Sequence, residues 1–547
     1  MKCELKLVSS LEKIFFDDFA NIAEYKAGSM LKNEIYSFQL VTFGEHEKIS
    51  RQQCKLVIES ELEPYIQVKQ VGYVPSILPA RKLADEDYIT KTPGLFPDPL
   101  HTIEDGMIEI FNCQTRSLWI TVEPKGEMVG THLIVLKVLN LEGELLAKAC
   151  FTLEIIDAEL PKLDIYNTGW FHGDCIAKLH DVDIMSEAYF AIVEKYLDVY
   201  VKFGHNMILT PIFTPPLDTE IGGERPTNQL VDVAVKSGKY CFDFSKLKRW
   251  IQLCQVHGIK YFEMAHLFTQ WGAYHAPKIM ATVEGEYKKI FGWETDALSE
   301  EYKSFLHAFL PELIAFLEKE GIMQNCMFHV SDEPREIHES QYRNVKEILL
   351  AHLDSAQIID ALSDYSFYEK GIVTKPVVST KHIQNFMEHD VKKLWAYYCT
   401  SEGVDVANRF MAMPSYRNRI LGYQLYKYDI EGFLHWGYNF WFTELSKDVL
   451  NPYLDTTAGG GFQSGDSFLV YPLDKNGEVI CSLRLYVFHE AMQDMCALKL
   501  LETLTDRQTV MNMLDEIDGF ASYPRNSAYI LHLREAVNQK IKSYMEE

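Results

Sequence analysis

Over the first 160 or so residues apolar and polar positions alternate in short runs; further on, the runs become continuously apolar and are separated by helix-like stretches. The alternating runs are Glu34–Phe43, Gln53–Ile58, Tyr65–Val71, Met107–Phe111, Ser117–Val122, Thr131–Val138 and Leu145–Ile156, with turn residues between them. A period of two buries one face of each strand and wets the other. Seven or so such strands at this spacing predict a β-sandwich. Pro161, directly after Leu160, marks its end.

The apolar runs that follow are Leu163–Gly169, Asn206–Ile212, Lys260–Ala265, Asn325–Val330, Gln357–Leu362, Pro376–Ser379, Lys393–Tyr398 and Gly432–Asn439. Helical stretches such as Ser186–Phe203, Phe244–His257, Glu300–Lys319 and Glu336–Leu353 lie between them. Eight strand–helix units over about 320 residues predict a (β/α)8 TIM barrel, whose strand C-termini share one mouth. A doubly wound open sheet is the alternative, but no GxGxxG or P-loop turn accompanies it. Leu485, Val487, Phe488, Met492, Met495 and Leu498 then form a helical stripe. The expected organisation is a β-sandwich over 1–157, a catalytic barrel over 158–483 and a C-terminal helical segment over 484–547 packed on the barrel. The fold class is thus multidomain α/β with an added all-β domain.

Composition narrows the function classes. Net charge is −25, which argues against nucleic acid and against an anionic membrane, since both need concentrated basic surface. Aromatic residues make up 13% of the chain, with 30 Tyr and 8 Trp; part of that excess suits sugar rings, which stack on aromatic faces. The 11 Cys are odd in number and widely spaced, as free thiols in a reducing compartment would be. The N-terminal segment lacks the apolar core of an export signal. A cytoplasmic protein with a small carbohydrate substrate is expected, with no cofactor, no metal, and an oligomeric state the sequence leaves open.

The chemistry concentrates at Phe328-His329-Val330-Ser331-Asp332-Glu333-Pro334, where an apolar run ends in two adjacent carboxylates and a proline. Desolvation and mutual repulsion both oppose keeping two such groups ionised. Paired carboxylates with unlike pKa values serve acid–base chemistry at a sugar. On a barrel's fourth strand the pair stands at the C-terminal rim, with Pro334 forcing the chain out of the strand. The alternative is an acidic turn with Ser331 or Asp332 capping a helix. The seventh and eighth runs carry no carboxylate; Glu402 lies just past the seventh and remains a candidate enzyme nucleophile. The simplest account lets a 2-acetamido sugar supply the nucleophile through its own carbonyl oxygen, forming an oxazoline. One carboxylate then holds the amide N–H while the other protonates the leaving oxygen and later activates water.

The ordered set His329–Pro334, Trp395–Cys399, Asn408–Arg419, Gly432–Trp441, Tyr471-Pro472 and Ser482–Arg484 resembles glycoside hydrolase family 123 and its uncharacterised relatives, over roughly residues 35–500. The resemblance implies a sandwich followed by a barrel with an Asp-Glu pair on strand four. It implies exo-acting β-N-acetylgalactosaminidase activity with substrate assistance, Asp332 orienting the acetamido group and Glu333 acting as acid/base. Ala396 and His435 stand where aromatics are expected.

Asp332 beside Glu333 is expected to leave Glu333 protonated and Asp332 ionised near neutral pH. Tyr397, Trp436, Asn439, Trp441, Trp170 and His266 are the expected substrate-binding residues, with barrel packing as the alternative for each. Trp395 with Tyr397, and Trp436 with Tyr438, are expected to share strand faces. Arg419 and Arg484 suit either sugar hydroxyls or structural salt bridges. His172, Asp174 and His180 match no metal-ligand spacing, and no G-x-S-x-G elbow suggests an esterase. A non-catalytic carbohydrate-binding or scaffold protein on the same fold is the competing class.

Overall fold

The structure, a computed structural model, describes residues 2–125 and 128–546. Its N-terminal region holds ten strands: β1 (Lys2–Ser9), β2 (Ala27–Leu31), β3 (Tyr36–Glu45), β4 (Arg51–Glu59), β5 (Ile66–Ser76), β6 (Gly94–Thr102), β7 (Met107–Phe111), β8 (Thr115–Val122), β9 (Gly130–Asn140) and β10 (Leu145–Ile156). They form two five-stranded sheets, ordered β1-β3-β8-β5-β6 and β2-β10-β9-β4-β7. In β9 the alternate residues His132, Ile134, Leu136 and Val138 are buried. Phe38 of β3 stacks on Phe151 of β10 with centroids 4.0 Å apart, joining the two sheets. Strand β6 carries Pro97 and Pro99, and it tolerates them because it is a sheet edge, where a missing N–H breaks no ladder.

The next region alternates strands and helices: β11 (Tyr166–Gly169), α1 (Gly173–Leu179), α2 (Glu187–Lys202), β12 (Met207–Thr210), β13 (Asp232–Lys236), β14 (Lys239–Asp243), α3 (Ser245–Val256), β15 (Tyr261–Met264), β16 (Ile279–Val283), β17 (Glu286–Phe291), α4 (Glu300–Lys319), β18 (Cys326–Phe328), α5 (Glu339–Leu350), β19 (Asp360–Leu362), α6 (Ser366–Glu369), β20 (Pro376–Ser379), α7 (Ile383–Glu388), β21 (Trp395–Tyr397), α8 (Tyr416–Lys427) and β22 (Gly432–His435). Eight of these strands form one parallel sheet, ordered β18-β15-β12-β11-β22-β21-β20-β19. A parallel bridge between Phe328 and Ile358 links the segments at its two ends. Strands β13, β14, β16 and β17 make a separate four-stranded sheet. Each expected apolar run coincides with one of the eight parallel strands.

One face of the parallel sheet gathers Met207, Leu209, Met327, Val377, Trp395, Tyr397 and Leu434 into a single buried cluster. Trp395 and Tyr397 lie on this face together, as their spacing requires. Gly432 makes room for Trp395: a Cβ there would sit 2.2 Å from the indole. Trp436 and Tyr438 do not share a face. The strand ends at His435, and Tyr438 turns away to pack edge-on against Tyr200, 4.8 Å between centroids.

Three helices close the chain: α9 (Leu483–Leu504), α10 (Arg507–Met513) and α11 (Ser527–Glu546). Helix α9 is buried on nearly every side. Its Tyr486 meets Trp119 of β8 at 5.6 Å and its Phe488 meets Phe433 of β22 at 5.7 Å, so it lies between the two β-rich regions. At Gly422 of α8 a side chain would come within 1.8 Å of Ala491 O, so only glycine permits that helix approach.

Candidate active site

Strand β18 stops at Phe328 because the side chain of Asp360 interrupts the ladder. Its Oδ1 accepts from Val330 N at 3.0 Å and from Ser331 N at 3.3 Å. The exit therefore precedes Pro334, which does not cause it. Ser331 Oγ donates to Thr269 O at 3.0 Å, and Trp271 N donates to Asp332 O at 3.1 Å. Glu333 then takes φ = 44°, a left-handed conformation uncommon for a non-glycine residue and concentrated at functional sites. Neither Ser331 nor Asp332 caps a helix: α5 begins at Glu339, preceded by a 3-10 turn over Glu336–His338.

A buried polar layer supports this segment. His329 Nε2 lies 2.6 Å from Glu263 Oε1, and its Nδ1 lies 3.4 Å from Asp360 Oδ1. Burial opposes a charge on His329, but hydrogen bonding to Asp360 and Glu263 carries its pKa up to about 10. Glu263 also accepts from Trp170 Nε1 at 2.6 Å and from Thr168 Oγ1 at 2.7 Å, and Tyr342 donates to Asp360. His266 stacks on His329 at 4.1 Å; burial, then the neighbouring imidazole, holds it well below the ordinary histidine value. His266, His329 and Asp360 thus lie together as metal-ligand types do. Both ring nitrogens of His329 face carboxylates, so the cluster reads as an ion-paired support.

Asp332 and Glu333 open onto a cavity of ≈ 200 Å³. Tyr397 Oη donates to Glu333 Oε1 at 2.6 Å. Trp170, Trp436, Leu434 and Phe462 supply its apolar walls, the balance of apolar surface and few polar groups usual for small-molecule sites. Trp436 Nε1 donates to Asp466 Oδ2 at 3.1 Å, and burial pushes Asp466 up to about 7. Of the residues expected from sequence, Asp332, Glu333, Tyr397, Trp436 and Trp170 line the cavity together.

The other three do not line it. Asn439 clamps the backbone of His172, accepting from its N at 2.8 Å and donating to its O at 3.1 Å. Trp441 is fully buried, its Nε1 donating to Val470 O at 3.2 Å. His266 lies buried against Trp170, 5.5 Å between centroids. Arg419 and Arg484 are bound in ion pairs with Asp494 and Asp98. His172 lines the cavity with Nδ1 accepting from Arg225, whose guanidinium also grips Asp174. His180 instead sits 3.2 Å from Tyr196 Oη. Glu402 is buried with its carboxylate engaged by Ser379 Oγ at 2.6 Å, Ser401 Oγ at 2.7 Å and Cys399 N at 2.8 Å.

Among the polar or aromatic lining residues that escaped the sequence reading are Asp218, Gln270 and Trp271. These three come from loops after β12 and β15, where no periodicity marks direction. Asp218 Oδ2 accepts from Leu445 N at 2.9 Å, and burial lifts its carboxyl to about 6.

The two acids of the pair are shifted in the same direction. Burial raises Asp332 well above the carboxylate range, and the Glu333 charge adds to this. Burial also raises Glu333, but the Tyr397 hydroxyl opposes the shift. Asp332 has no side-chain donor among the described residues, whereas Glu333 accepts from Tyr397.

The sequence matches the model of the glycoside hydrolase 123 catalytic domain over residues 170–501. The structure is similar to a family 123 glycoside hydrolase from Clostridium perfringens, described for glycolipid glycan hydrolysis. The TM-score is 0.75 at 17% identity, covering 100% of this chain and 98% of the other. A β-glucuronidase from Bifidobacterium dentium aligns at a TM-score of only 0.33 and 8% identity, over 89% of this chain and 66% of that one, too low to inform the fold. No curated protein sequence matches the chain.

Proposed function

The chain belongs to glycoside hydrolase family 123, and from that premise we propose that it removes a terminal β-linked 2-acetamido sugar of the GalNAc type with retention, through an oxazoline formed by the substrate's own acetamido group. We read the parallel sheet as a closed (β/α)8 barrel, with the sandwich over 1–157, the barrel over 158–483 and the helical segment over 484–547 as its three parts. The observation that carries the proposal is the Asp332–Glu333 pair on one cavity wall, with Asp332 lacking a donor and Glu333 holding one.

The acetamido N–H supplies the donor Asp332 lacks. Once it binds, the ionised form of Asp332 is favoured and the shared proton stays on Glu333. The acetamido oxygen attacks C1 while Glu333 gives its proton to the departing oxygen. Asp332 stabilises the positive charge spreading over the oxazoline. Glu333, now a carboxylate, takes a proton from the water that opens the ring, so two inversions give retention. Tyr397 positions Glu333, Trp170 and Trp436 wall the sugar, and Asp218 accepts from a ring hydroxyl. Glu402, with three donors on its carboxylate and no place in the cavity lining, is poorly placed as an enzyme nucleophile.

The test is hydrolysis of chromogenic N-acetyl-β-galactosaminide and N-acetyl-β-glucosaminide with a thiazoline inhibitor. Asp332→Asn is expected to lower kcat by about 10³-fold or more on every 2-acetamido substrate, the scale at which charge stabilisation acts. Glu333→Gln should do so only where the leaving group is poor. Near-normal rates for Asp332→Asn sink the assignment. Thiazoline-insensitive cleavage of sugars lacking the acetamido group, abolished in Asp218→Asn, points instead to an enzyme nucleophile at Asp218.

A further inference from the structure

We propose that Trp271 is a stacking platform for the sugar that leaves, giving the cleft a second subsite outside the one for the terminal ring. The proposal rests on the glycosidase reading above. Trp271 lines the same cavity as Asp332 and Glu333. It is 40% exposed, whereas Trp170 on the same cavity is 3% exposed. Its backbone sits at φ = 59°, a conformation that a bulky side chain rarely adopts. Gly272 and Ala273 follow at φ = 122° and 59°, so three successive residues occupy the positive-φ region.

This turn is held at several points. Trp271 N donates to Asp332 O at 3.1 Å and Ala273 N to Thr269 O at 3.2 Å. Gln341 Nε2 donates to Ala273 O at 2.9 Å, and Gln270 Oε1 accepts from Asp218 N at 2.6 Å. The fold therefore fixes the strained backbone that carries the indole and leaves the ring exposed. Strain of this kind persists where the surroundings over-determine it, and it clusters at ligand clamps. An exposed aromatic face is what the C–H face of a pyranose stacks on.

Depth assigns the ring. Trp170, Tyr397 and Leu434 line the cavity as buried residues, whereas Trp271 lines it exposed to solvent, which we read as its mouth. An enzyme that removes terminal sugars takes that ring innermost, so the residue at the mouth meets the next sugar along the chain. The backbone bond from Trp271 to Asp332 fixes the platform relative to the reacting centre.

The test compares kcat/KM for methyl N-acetyl-β-galactosaminide and for the same sugar β-linked to galactose. Trp271→Ala is expected to lower the disaccharide value at least tenfold and the methyl glycoside value less than twofold, with Trp271→Phe restoring most of the loss. Equal losses on both substrates, or none on the disaccharide, overturn the platform. Binding judges it independently of turnover. By calorimetry on the Glu333→Gln protein, the disaccharide should bind more tightly than free N-acetylgalactosamine, and Trp271→Ala should erase that advantage. A parent protein that binds the disaccharide no better than the monosaccharide also overturns it. Failure of the wild type to cleave any 2-acetamido glycoside overturns the proposed function instead, and leaves the binding comparison to decide on Trp271.

Discussion

Two acid-rich clusters lie in this molecule, and they are balanced in different ways. Near the junction of the sandwich and the closing helices, Arg419 binds Asp494 and Glu490, while Arg534 binds Asp494 and Glu34. Ser10 Oγ donates to Glu490 at 2.8 Å and Leu31 N to Glu34 at 2.6 Å. Three carboxylates there share two guanidiniums in forked geometry. At the cavity, Glu263, Asp360 and Asp332 lie around the imidazolium of His329, while Glu333 has the Tyr397 hydroxyl, Arg335 and His382 near it. The two ion pairs of His329 go to the buried members, and the pair facing the cavity receives one tyrosine hydroxyl. The acids of the joint are gripped directly by guanidiniums, whereas the pair at the opening is only partly compensated, which is the kind of perturbation found where ligands bind.

The largest effect expected from this contrast is at the joint. Arg419→Leu leaves Glu490 and Asp494 buried with fewer donors, and removing one member of a buried ion pair costs about 3–5 kcal/mol. Denaturant unfolding should show that loss. Replacing Arg419, Glu490 and Asp494 together by apolar residues of similar size should recover much of it. A loss below about 1 kcal/mol for Arg419→Leu alone would erase the distinction between the clusters.

What the sequence made legible follows the same division. The eight apolar runs announced the parallel strands because a strand covered on both faces must be apolar throughout. Strand β6 was hidden by Pro97 and Pro99, which only its edge position accommodates. Helix α9 reads as a flanking helix from one apolar stripe, yet Arg484, Glu490 and Asp494 on its other sides are buried because each meets a partner. Polar letters give no sign of burial by pairing. In the site, Asp332 and Glu333 stood out as adjacent acids after an apolar run. Tyr397 and Trp170 were legible from their place at strand ends. Asn439 and Trp441 lie outside the cavity lining because the chain leaves β22 at His435, after which strand alternation no longer gives direction. Asp218 and Trp271 were invisible, since only the folded loops carry them to the cavity.

A smaller effect sharpens the comparison at Glu402, an acid close to the pair but satisfied like those at the joint. Glu402→Gln keeps its size and one carbonyl oxygen but disturbs the bonds from Ser379, Ser401 and Cys399. Stability should fall by about 1–2 kcal/mol as those donors lose an acceptor. Turnover should fall less than about tenfold, far short of the ~10⁶-fold that loss of a nucleophile can cost. Steady-state kinetics beside a thermal melt separates the two outcomes, and a collapse of kcat in a stably folded variant would move Glu402 into the chemistry.

The smallest effect has the opposite sign. Burial, then the neighbouring Glu333 charge, raises Asp332, and burial raises Glu333. A carboxyl whose folded pKa lies above its unfolded value contributes stability that is complete below the unfolded value, near 4, and disappears as pH rises through the folded value. The unliganded protein therefore loses stability at this site on going from mildly acidic to neutral pH. Asp332→Asn removes one charge from the pair, so it should stabilise the fold by about 1 kcal/mol near pH 7.5, with the gain shrinking toward pH 4. Melting curves of the two proteins across that range should diverge as pH rises. Parallel curves, or a variant less stable than its parent at pH 7.5, would mean that the pair is compensated in the resting protein as fully as the arginine-bound acids of the joint.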